Sequence, residues 1–378
     1  MIQHFIRYFA TCSYVMRLSQ NLARRFDRGS YYSIESGLLG WIRQFGFLAF
    51  ITLLPARLWA TTWDEPWMDQ VISNAQSLVC ISVLDNHPEE VKAKVTKHLA
   101  GAVTPSEIKL VGYSFLSLGG DPFKEAEFRF KPGSNYYLFL KKVDKGPGFL
   151  IATPTTGWAK IGDKDVYATY RHSYHQAVVP EEVYETTMVS IFNRIHGIKG
   201  DERKVIQFVK TQLLKAPAIM KGGSDETLQQ FFLQHAALET FRYLGTEKDL
   251  ALIDPFLEAD DFHVQISAVR AISGVRSESV NQRLMDFIEA KRYGFAKVMA
   301  VWGLKAHDAK SMLPRLRKFL ADGKDEETGF GGNIMDPRVG TRLPSSVKEA
   351  IKELIEAWTR KSTNNGVRPR GIGHIVPA

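Results

Sequence analysis

A repeat of 31 residues is the feature that most constrains the fold of this 378-residue chain. It consists of three units, residues 231–261, 262–292 and 293–323. Each unit reads as two helical segments, with apolar residues at helical spacing, joined by a short polar turn. One such pair of helices cannot bury both of its apolar stripes alone. Neighbouring pairs must therefore stack and share a core.

The units align over both of their helices. The first helices align at Ala237, Ala268 and Ala300, and Ala300 lies one residue later than a strict 31-residue period requires. We expect these small residues to lie where helices approach closely. The second helices share a phenylalanine followed by an aliphatic residue. This pattern resembles the HEAT-like repeats of α-solenoids, with shorter units, and the resemblance implies an α-α superhelix. An irregular helical bundle with accidental periodicity is the alternative.

The charge of the chain is unevenly distributed. The formal net charge is +8, and residues 1–60 contribute +5 of it through seven Arg and two acidic residues. The remainder is close to balanced, so the sequence does not favour a nucleic-acid partner.

The basic excess lies beside an apolar run. Phe45–Leu54 lies between Arg43 and Arg57 and is followed by Ala60, which is the layout of a secretory signal peptide over residues 37–60. Ten apolar residues are too few to span a bilayer comfortably. We therefore expect cleavage after Ala60 and a secreted or periplasmic protein, which contacts a membrane only through this segment if it stays uncleaved.

Two interpretations of the N-terminal region stay open. Residues 1–36 are either an overlong start-codon assignment or an extension without a folded role. The alternative for the apolar run itself is a buried helix of a cytoplasmic domain.

Residues 61–176 are predicted to form a β domain. A short helix follows Pro66, and from Leu78 the apolar period changes to two, with Gly, Pro, Asn and Asp between the runs. The predicted strands are Leu78–Leu84, Val91–His98, Ile108–Phe115, Ala126–Lys131, Tyr136–Val143, Gly148–Thr153 and Val166–Tyr170. Residues 77–172 are thus expected to fold as a compact antiparallel domain of five to seven strands.

Two stretches of this domain carry a family resemblance. The turn Lys97–Gly101 and the strand Lys131–Leu140 resemble the small OB-like barrel of netrin-type and metalloproteinase-inhibitor-type domains. The cysteines of that family are absent, because only Cys12 and Cys80 occur in the chain. Protease inhibition therefore does not carry over, and Cys80 reads as a small buried hydrophobe.

Aromatic residues of the β domain are candidates for ligand binding. An OB-like barrel binds oligonucleotides or oligosaccharides on one face, and aromatic rings supply stacking surfaces there. The candidate rings are Tyr136, Tyr137, Phe149, Trp158 and Tyr167. The alternative is that they pack the barrel core, since alternating aromatic residues are common in strands.

The densest polar and aromatic cluster follows the β domain. The binding candidates in it are Tyr170, Arg171, His172, Tyr174 and His175. His172 and His175, with a carboxylate of Glu181 or Glu182, are weak candidates for metal ligands. The alternative is a linker that docks the β domain onto the helices through hydrogen-bonded histidines.

Residues 177–361 are predicted to form the helical repeat domain. A helix from Pro180 to Gly197 and a second from Val205 to Leu214 precede the repeats as a degenerate capping pair. A loop over 324–344 is inserted before the last helix, Ser345–Lys361, and residues 362–378 form a disordered tail.

The inserted loop holds one further binding candidate. Phe330 lies in the run Gly329–Gly332, which lacks the preceding strand and the following Gly-Lys-Ser/Thr of a nucleotide-binding loop. The sequence predicts no cofactor.

The expected fold class is a small antiparallel OB-like β-barrel followed by an α-α superhelix of HEAT-like repeats. No defensible Ser-His-Asp, paired-carboxylate or Walker-type arrangement occurs. The favoured function is a non-enzymatic scaffold or binding protein for a protein or glycan partner in the cell envelope. The alternatives are an envelope metal-dependent hydrolase using His172 and His175, and a bilin lyase of the HEAT-like kind, which the export signal disfavours.

Overall fold

The computed structural model describes the chain between Trp63 and Thr363, with gaps. The described residues are 63–64, 66–87, 90–111, 130–144, 146–153, 156–172, 175–220, 224–328, 339–340 and 343–363. The expectations for residues 1–60 and for the tail beyond Thr363 lie outside this range. The candidates Tyr174 and Phe330 and much of the inserted loop also lie outside it.

The described secondary structure follows the predicted order of strands and then helices. The strands are β1 (Trp63–Asp64), β2 (Ser77–Asn86), β3 (Glu90–Gly101), β4 (Glu107–Val111), β5 (Asn135–Lys142), β6 (Phe149–Ile151), β7 (Trp158–Ile161), β8 (Asp165–Thr169), β9 (Gln176–Pro180) and β10 (Val339–Gly340). The α-helices are α1 (Met68–Asn74), α2 (Glu181–Ile195), α3 (Arg203–Leu213), α4 (Asp225–Leu244), α5 (Asp254–Glu258), α6 (Phe262–Ile272), α7 (Glu278–Glu289), α8 (Gly294–His307), α9 (Leu313–Asp322) and α10 (Val347–Thr363). Short 3-10 helices, Glu247–Leu252 and Lys310–Met312, precede α5 and α9.

Strands β2 to β6 close into a barrel. β2 pairs with β3, β3 with β4, and β5 with both β6 and β2, all antiparallel. β4 lies parallel to β6, with Leu110 beside Phe149. β2 and β5 are the closing pair of strands, and their register runs from Ser77 opposite Leu140 to Ser82 opposite Asn135. The ring order β2-β3-β4-β6-β5 returns to β2, so the predicted small β-barrel is confirmed, with five strands.

The strands of the closing pair are buried on both faces. Successive side chains of a strand point to opposite faces. On β5, Tyr136, Leu138 and Leu140 point into the barrel, whereas Tyr137 and Phe139 belong to the core that the barrel shares with α1 and α2. This double burial explains why β5 reads as a continuous apolar run rather than as an alternating one.

The sheet continues beyond the barrel through β7, β8 and β9, of which the sequence predicted only β8, as the strand Val166–Tyr170. Along its second edge, β5 pairs with β6 at its C-terminal end and with β7 at Tyr136–Leu138. β8 and β9 extend the sheet from β7. β9 covers Val178 and Val179, which the sequence assigned to the helical repeat domain, and it leads directly into α2. Phe130 and Lys131 lie outside any strand, in contrast to the prediction for their segment.

The repeat units correspond to helix pairs. α4, α6 and α8 are the first helices of the three units, and α5, α7 and α9 are the second. α3, α4, α6, α8 and α10 are consecutive neighbours in one layer. Ala237, Ala268 and Ala300 are fully buried in this layer. The approach is close at Gly274, where a Cβ would lie 1.7 Å from the carbonyl oxygen of Arg242.

One buried polar residue in each unit anchors a neighbouring loop. Gln234, Gln265 and Lys297 stand at equivalent positions of α4, α6 and α8, and each is at least nine-tenths buried. Oε1 of Gln234 accepts a hydrogen bond from the backbone N–H of Ala218 at 2.7 Å, and Lys297 pairs with Glu326. These contacts satisfy buried polar groups that would otherwise destabilise the fold.

The helical region also contacts the barrel. α2 packs on β3 on one side and on α4 on the other, so the barrel and the helices belong to one compact unit. From the inserted loop, β10 returns to pair in parallel with β1, Trp63 beside Val339. Within the described part of the chain, no helix has the length and apolar character needed to cross a bilayer.

Candidate functional site

Four residues between β8 and β9 are buried where the barrel meets the helices: Tyr170, Arg171, His172 and His175. The Tyr170 hydroxyl lies 2.8 Å from the Thr187 hydroxyl of α2. The carbonyl oxygen of Arg171 accepts a hydrogen bond of 2.9 Å from the N–H of Met68, at the start of α1. The His172 ring packs edge-on to Trp67, with ring centroids 5.1 Å apart. This part of the predicted cluster thus joins the barrel to the helical layer.

The Arg171 side chain reaches across to α6. Its Nη1 donates to Oγ of Ser267 at 3.0 Å, and its Nη2 lies 3.3 Å from Nδ1 of His263. A guanidinium can only donate, so Nδ1 of His263 is an unprotonated acceptor. Burial lowers the pKa of Arg171 to about 10, while the charge of Glu239 opposes that shift. Arg171 therefore remains a buried cation at neutral pH.

Three histidines pack together beside Arg171. The His175 ring centroid is 4.0 Å from that of His235 and 4.6 Å from that of His263. Burial, reinforced by Arg171 and the neighbouring rings, lowers the pKa of His175 and of His235 well below the usual value. Burial and Arg171 also lower the pKa of His263 to about 4. All three rings are therefore neutral at neutral pH.

Ser267 connects this cluster to a buried ion pair. Its hydroxyl donates to Oε1 of Glu239 at 2.9 Å, so Nδ1 of His235, 3.0 Å from the same hydroxyl, must carry a proton and donate. Nε of Arg270 donates to Oε2 of Glu239 at 3.0 Å. Glu239 is fully buried and Arg270 is 5% exposed. We call this set the junction network. Its members are Arg171, His175, His235, Glu239, His263, Ser267 and Arg270.

The repeat places the charged residues of the network at one position. Glu239 of α4, Arg270 of α6 and Trp302 of α8 are equivalent in the three units. The side chains therefore lie on the same face of successive helices in the layer. Trp67, which precedes α1, packs across that face. Its ring lies 4.6 Å from Cζ of Arg270 and 5.8 Å from the ring of Trp302.

A cleft opens beside the helix face that carries Glu239, Arg270 and Trp302. Its volume is about 140 Å³. The residues that line it are Trp67, Asp69, Gln70, Arg242, Arg270, Ser273, Met299, Trp302, Gly303 and Ala306. We call it the Trp67 cleft. It combines two indole rings with two guanidinium groups, a combination suited to a ligand that is partly apolar and partly anionic.

The polar groups around the Trp67 cleft are incompletely paired. Nη2 of Arg270 is buried and has no hydrogen-bond partner. The Tyr243 hydroxyl is buried and unpartnered as well, and its pKa is raised by burial and by Asp69. Arg242 contacts Asp69 through a single long ion pair of 3.3 Å. The cleft therefore offers hydrogen-bond donors that the protein itself does not use.

The metal candidates do not assemble into a ligand set among the described residues. No group of three or more His, Cys, Asp or Glu side chains in that part of the chain is arranged to hold a metal ion. The His175 ring packs against His235, with ring centroids 4.0 Å apart. Glu181, a predicted carboxylate partner, instead accepts a hydrogen bond of 2.7 Å from the Tyr137 hydroxyl.

The aromatic candidates of the barrel are not gathered into one surface. Tyr136 points into the barrel and is 5% exposed. Tyr137 points to the opposite face and is fully buried, stacked on Tyr184 at 4.7 Å. Trp158 is half-buried and packs edge-on to Phe130 and Tyr136. Tyr136 thus packs the barrel interior and Tyr137 the core that the barrel shares with α1 and α2, whereas Tyr167 is 46% exposed.

The residues of the Trp67 cleft were absent from the sequence-based candidates. Asp69 and Arg270 look like the solvent-facing charges of ordinary amphipathic helices. One signal was present: the aligned first helices place Glu, Arg and Trp at one position within otherwise apolar segments. That irregularity marks the face on which the cleft lies.

Comparison with known proteins gives no assignment. No family model, no curated protein and no solved structure matches this chain. The function is therefore inferred from the site alone.

Proposed function

We propose that this chain is a non-enzymatic binding protein that holds a protein or glycan partner at the Trp67 cleft. The observation that carries the proposal is the buried Arg270 guanidinium at the cleft, which lies over the Trp67 ring and whose Nη2 lacks a partner. A buried charged donor without an acceptor is destabilising, so Nη2 favours a partner that the described residues do not supply. We interpret the helix pairs as HEAT-like repeats that form the rigid support for this cleft.

The junction network supports the proposal because it positions the cleft. Glu239 is fully buried, accepts a hydrogen bond from Ser267 and holds Arg270 through a second hydrogen bond. The Trp67 ring covers the other side of the guanidinium. Because Glu239 holds Arg270 in place before a partner binds, Arg270 loses little conformational entropy on binding.

We also propose that the protein acts outside the cytoplasm, in the cell envelope. The support is the signal-peptide layout of residues 37–60. N-terminal sequencing of the exported protein is expected to start at Thr61. An intact Met1 on the exported form would contradict this proposal.

Site-specific photocrosslinking tests the binding function in cells. A photoreactive residue replaces Gln70, which is exposed at the rim of the Trp67 cleft. The matched control carries it at Gln207, which is exposed on α3 and does not line the cleft. We expect a crosslinked partner from position 70 and none from position 207. We also expect the position-70 crosslink to disappear when Trp302→Ala is combined with the photoreactive residue.

Two results would contradict the proposal. One is equal crosslinking from positions 70 and 207, which would indicate non-specific contact. The other is a position-70 crosslink that Trp302→Ala leaves unchanged while circular dichroism shows that the variant is folded.

A further inference from the structure

We infer that the Trp67 cleft selects an acidic peptide segment by taking up a single carboxylate. This inference rests on the proposed function, and it specifies the chemical class of the partner. The carboxylate is that of a glutamate or aspartate side chain or of a C-terminus. The argument uses the unpaired donors, the charge balance and the size of the cleft.

The first step is the unused donor. Arg270 is 5% exposed, and Glu239 occupies only its Nε side. Nη2 has neither a protein partner nor contact with solvent. A carboxylate forms short, charge-assisted hydrogen bonds with a guanidinium, stronger than those of a neutral acceptor. An anionic oxygen is therefore the partner that this position favours.

The second step is the charge balance. The ionised side chains in and around the cleft comprise three guanidiniums, of Arg171, Arg242 and Arg270, and two carboxylates, of Asp69 and Glu239. One positive charge is therefore in excess within this partly buried set. A ligand carboxylate neutralises it, whereas a cationic ligand increases the repulsion.

The pKa of a nearby histidine also reflects the positive charges around the cleft. After burial, the charges of Arg276 and Arg242 lower the pKa of His307. Arg276 is exposed, in the loop between α6 and α7. It therefore extends the positive potential from the cleft to the protein surface, where it attracts an acidic segment.

The third step is the size and lining of the cleft. Its volume of about 140 Å³ accommodates a carboxylate and the groups next to it. Trp67, Trp302 and Met299 supply apolar walls for the methylene groups beside the carboxylate. A hexuronate ring carries hydroxyl groups rather than methylene groups beside its carboxylate, so the cleft favours an acidic peptide over an acidic glycan.

Binding must also move Trp67. Its ring covers the Arg270 guanidinium at 4.6 Å, and Nη2 is shielded from solvent. A carboxylate reaches Nη2 only when this ring shifts, and side-chain shifts of this kind are common on binding. Since Trp67 and Trp302 are in contact, occupation of the cleft is expected to change the tryptophan fluorescence.

The test is a fluorescence and calorimetric titration of the full chain with three probes. They are a terminally blocked octapeptide of glutamate, the matched octapeptide of glutamine, and tetragalacturonate as an acidic glycan. The variant is Arg242→Gln, because Arg242 is partly exposed and its replacement leaves the buried Glu239–Arg270 pair intact. The control is Arg283→Gln, which removes one charge of similar exposure on α7, away from the cleft.

We expect the glutamate peptide to bind and the glutamine peptide not to bind. Arg242→Gln is expected to weaken the binding of the glutamate peptide about tenfold or more, and Arg283→Gln less than twofold. The acidic-peptide inference is overturned if the two peptides bind equally or if the two variants behave alike. It is also overturned if tetragalacturonate binds in the cleft and the glutamate peptide does not.

The same experiment separates this inference from the proposed function. Tetragalacturonate binding that is sensitive to Arg242→Gln would keep the Trp67 cleft as a binding site and replace the ligand class. If no probe binds and the position-70 crosslink is also absent, both the inference and the proposed function are wrong.

Discussion

The interior of the barrel and the junction between barrel and helices are both closed to solvent, but they contain opposite chemistry. The barrel interior is filled by aliphatic and aromatic side chains such as Ile81, Leu138 and Leu140. The junction buries Arg171, Glu239 and Arg270 among neutral histidines. An apolar interior is sufficient for stability, and buried ion pairs often contribute less than hydrophobic residues of the same shape. The contrast supports the proposal that the junction positions a binding site.

The largest expected effect comes from removing the counter-charge at the junction. Glu239→Gln leaves Arg171 and Arg270 buried without a carboxylate, so we expect the free energy of unfolding to fall by about 3–5 kcal/mol. Urea denaturation of the full chain measures this change. The control is Glu258→Gln, which removes a 70% exposed side chain paired with Arg292 and should cost less than about 1 kcal/mol. An equal decrease in the free energy of unfolding in the two variants would show that the buried junction charges affect stability no more than an exposed ion pair does.

The second effect is a dependence of stability on pH that the junction should show and the barrel interior should not. Burial lowers the pKa of His235 in the folded chain, whereas in the unfolded chain it is about 6.5. At a pH between these two pKa values, the unfolded chain binds a proton that the folded chain does not. Stability from this group is therefore complete above pH 6.5 and decreases as the pH falls. In that pH range, His235 lowers the free energy of unfolding by about 1.4 kcal/mol for each unit by which the pH falls.

We expect His235→Asn to reduce this slope, measured by urea denaturation between pH 7 and pH 5. Asn preserves a donor that can reach Ser267. The barrel control, Leu138→Ala, should lower the free energy of unfolding by about 2–5 kcal/mol at every pH and leave the slope unchanged. A slope that is the same in His235→Asn and in the unmodified protein would contradict the assignment of a buried, neutral His235.

The smallest expected effect on stability is at the rim of the cleft. The Arg242–Asp69 pair is long and its side chains are 24% and 33% exposed, so Arg242→Gln should change the free energy of unfolding by less than about 1 kcal/mol. The same variant should weaken binding of the glutamate peptide strongly. Thermal and urea denaturation check the first statement. A large loss of stability would mean that Arg242 supports the fold rather than the ligand.

The barrel was more predictable from the sequence than the junction, for physical reasons. β2, β3 and β5 were found because their apolar runs reflect local burial. β7 and β9 were missed because Trp158–Ile161 is short and because Val178 and Val179 precede a proline that ends the strand. The helix pairs were found because stacking imposes a period on the sequence.

The Trp67 cleft could not be found in this way. Trp67, Arg270 and Trp302 are far apart in the chain and meet only because Trp67, just before α1, packs against α6 and α8. On a single helix, Arg270 has the pattern of a solvent-facing charge, and only this packing buries it. The docking role predicted for the histidines lies at the same junction, since the segment from Tyr170 to His175 contacts α2, α4 and α6.

Hydrogen–deuterium exchange of the full chain, with and without the blocked glutamate octapeptide, tests most directly whether the junction is the binding site. The account predicts slower exchange on peptide addition in residues 67–74, 267–273 and 299–306, which surround the Trp67 cleft. It predicts no change in β2 to β6. Protection confined to the barrel strands, with the three cleft segments unchanged, would contradict it.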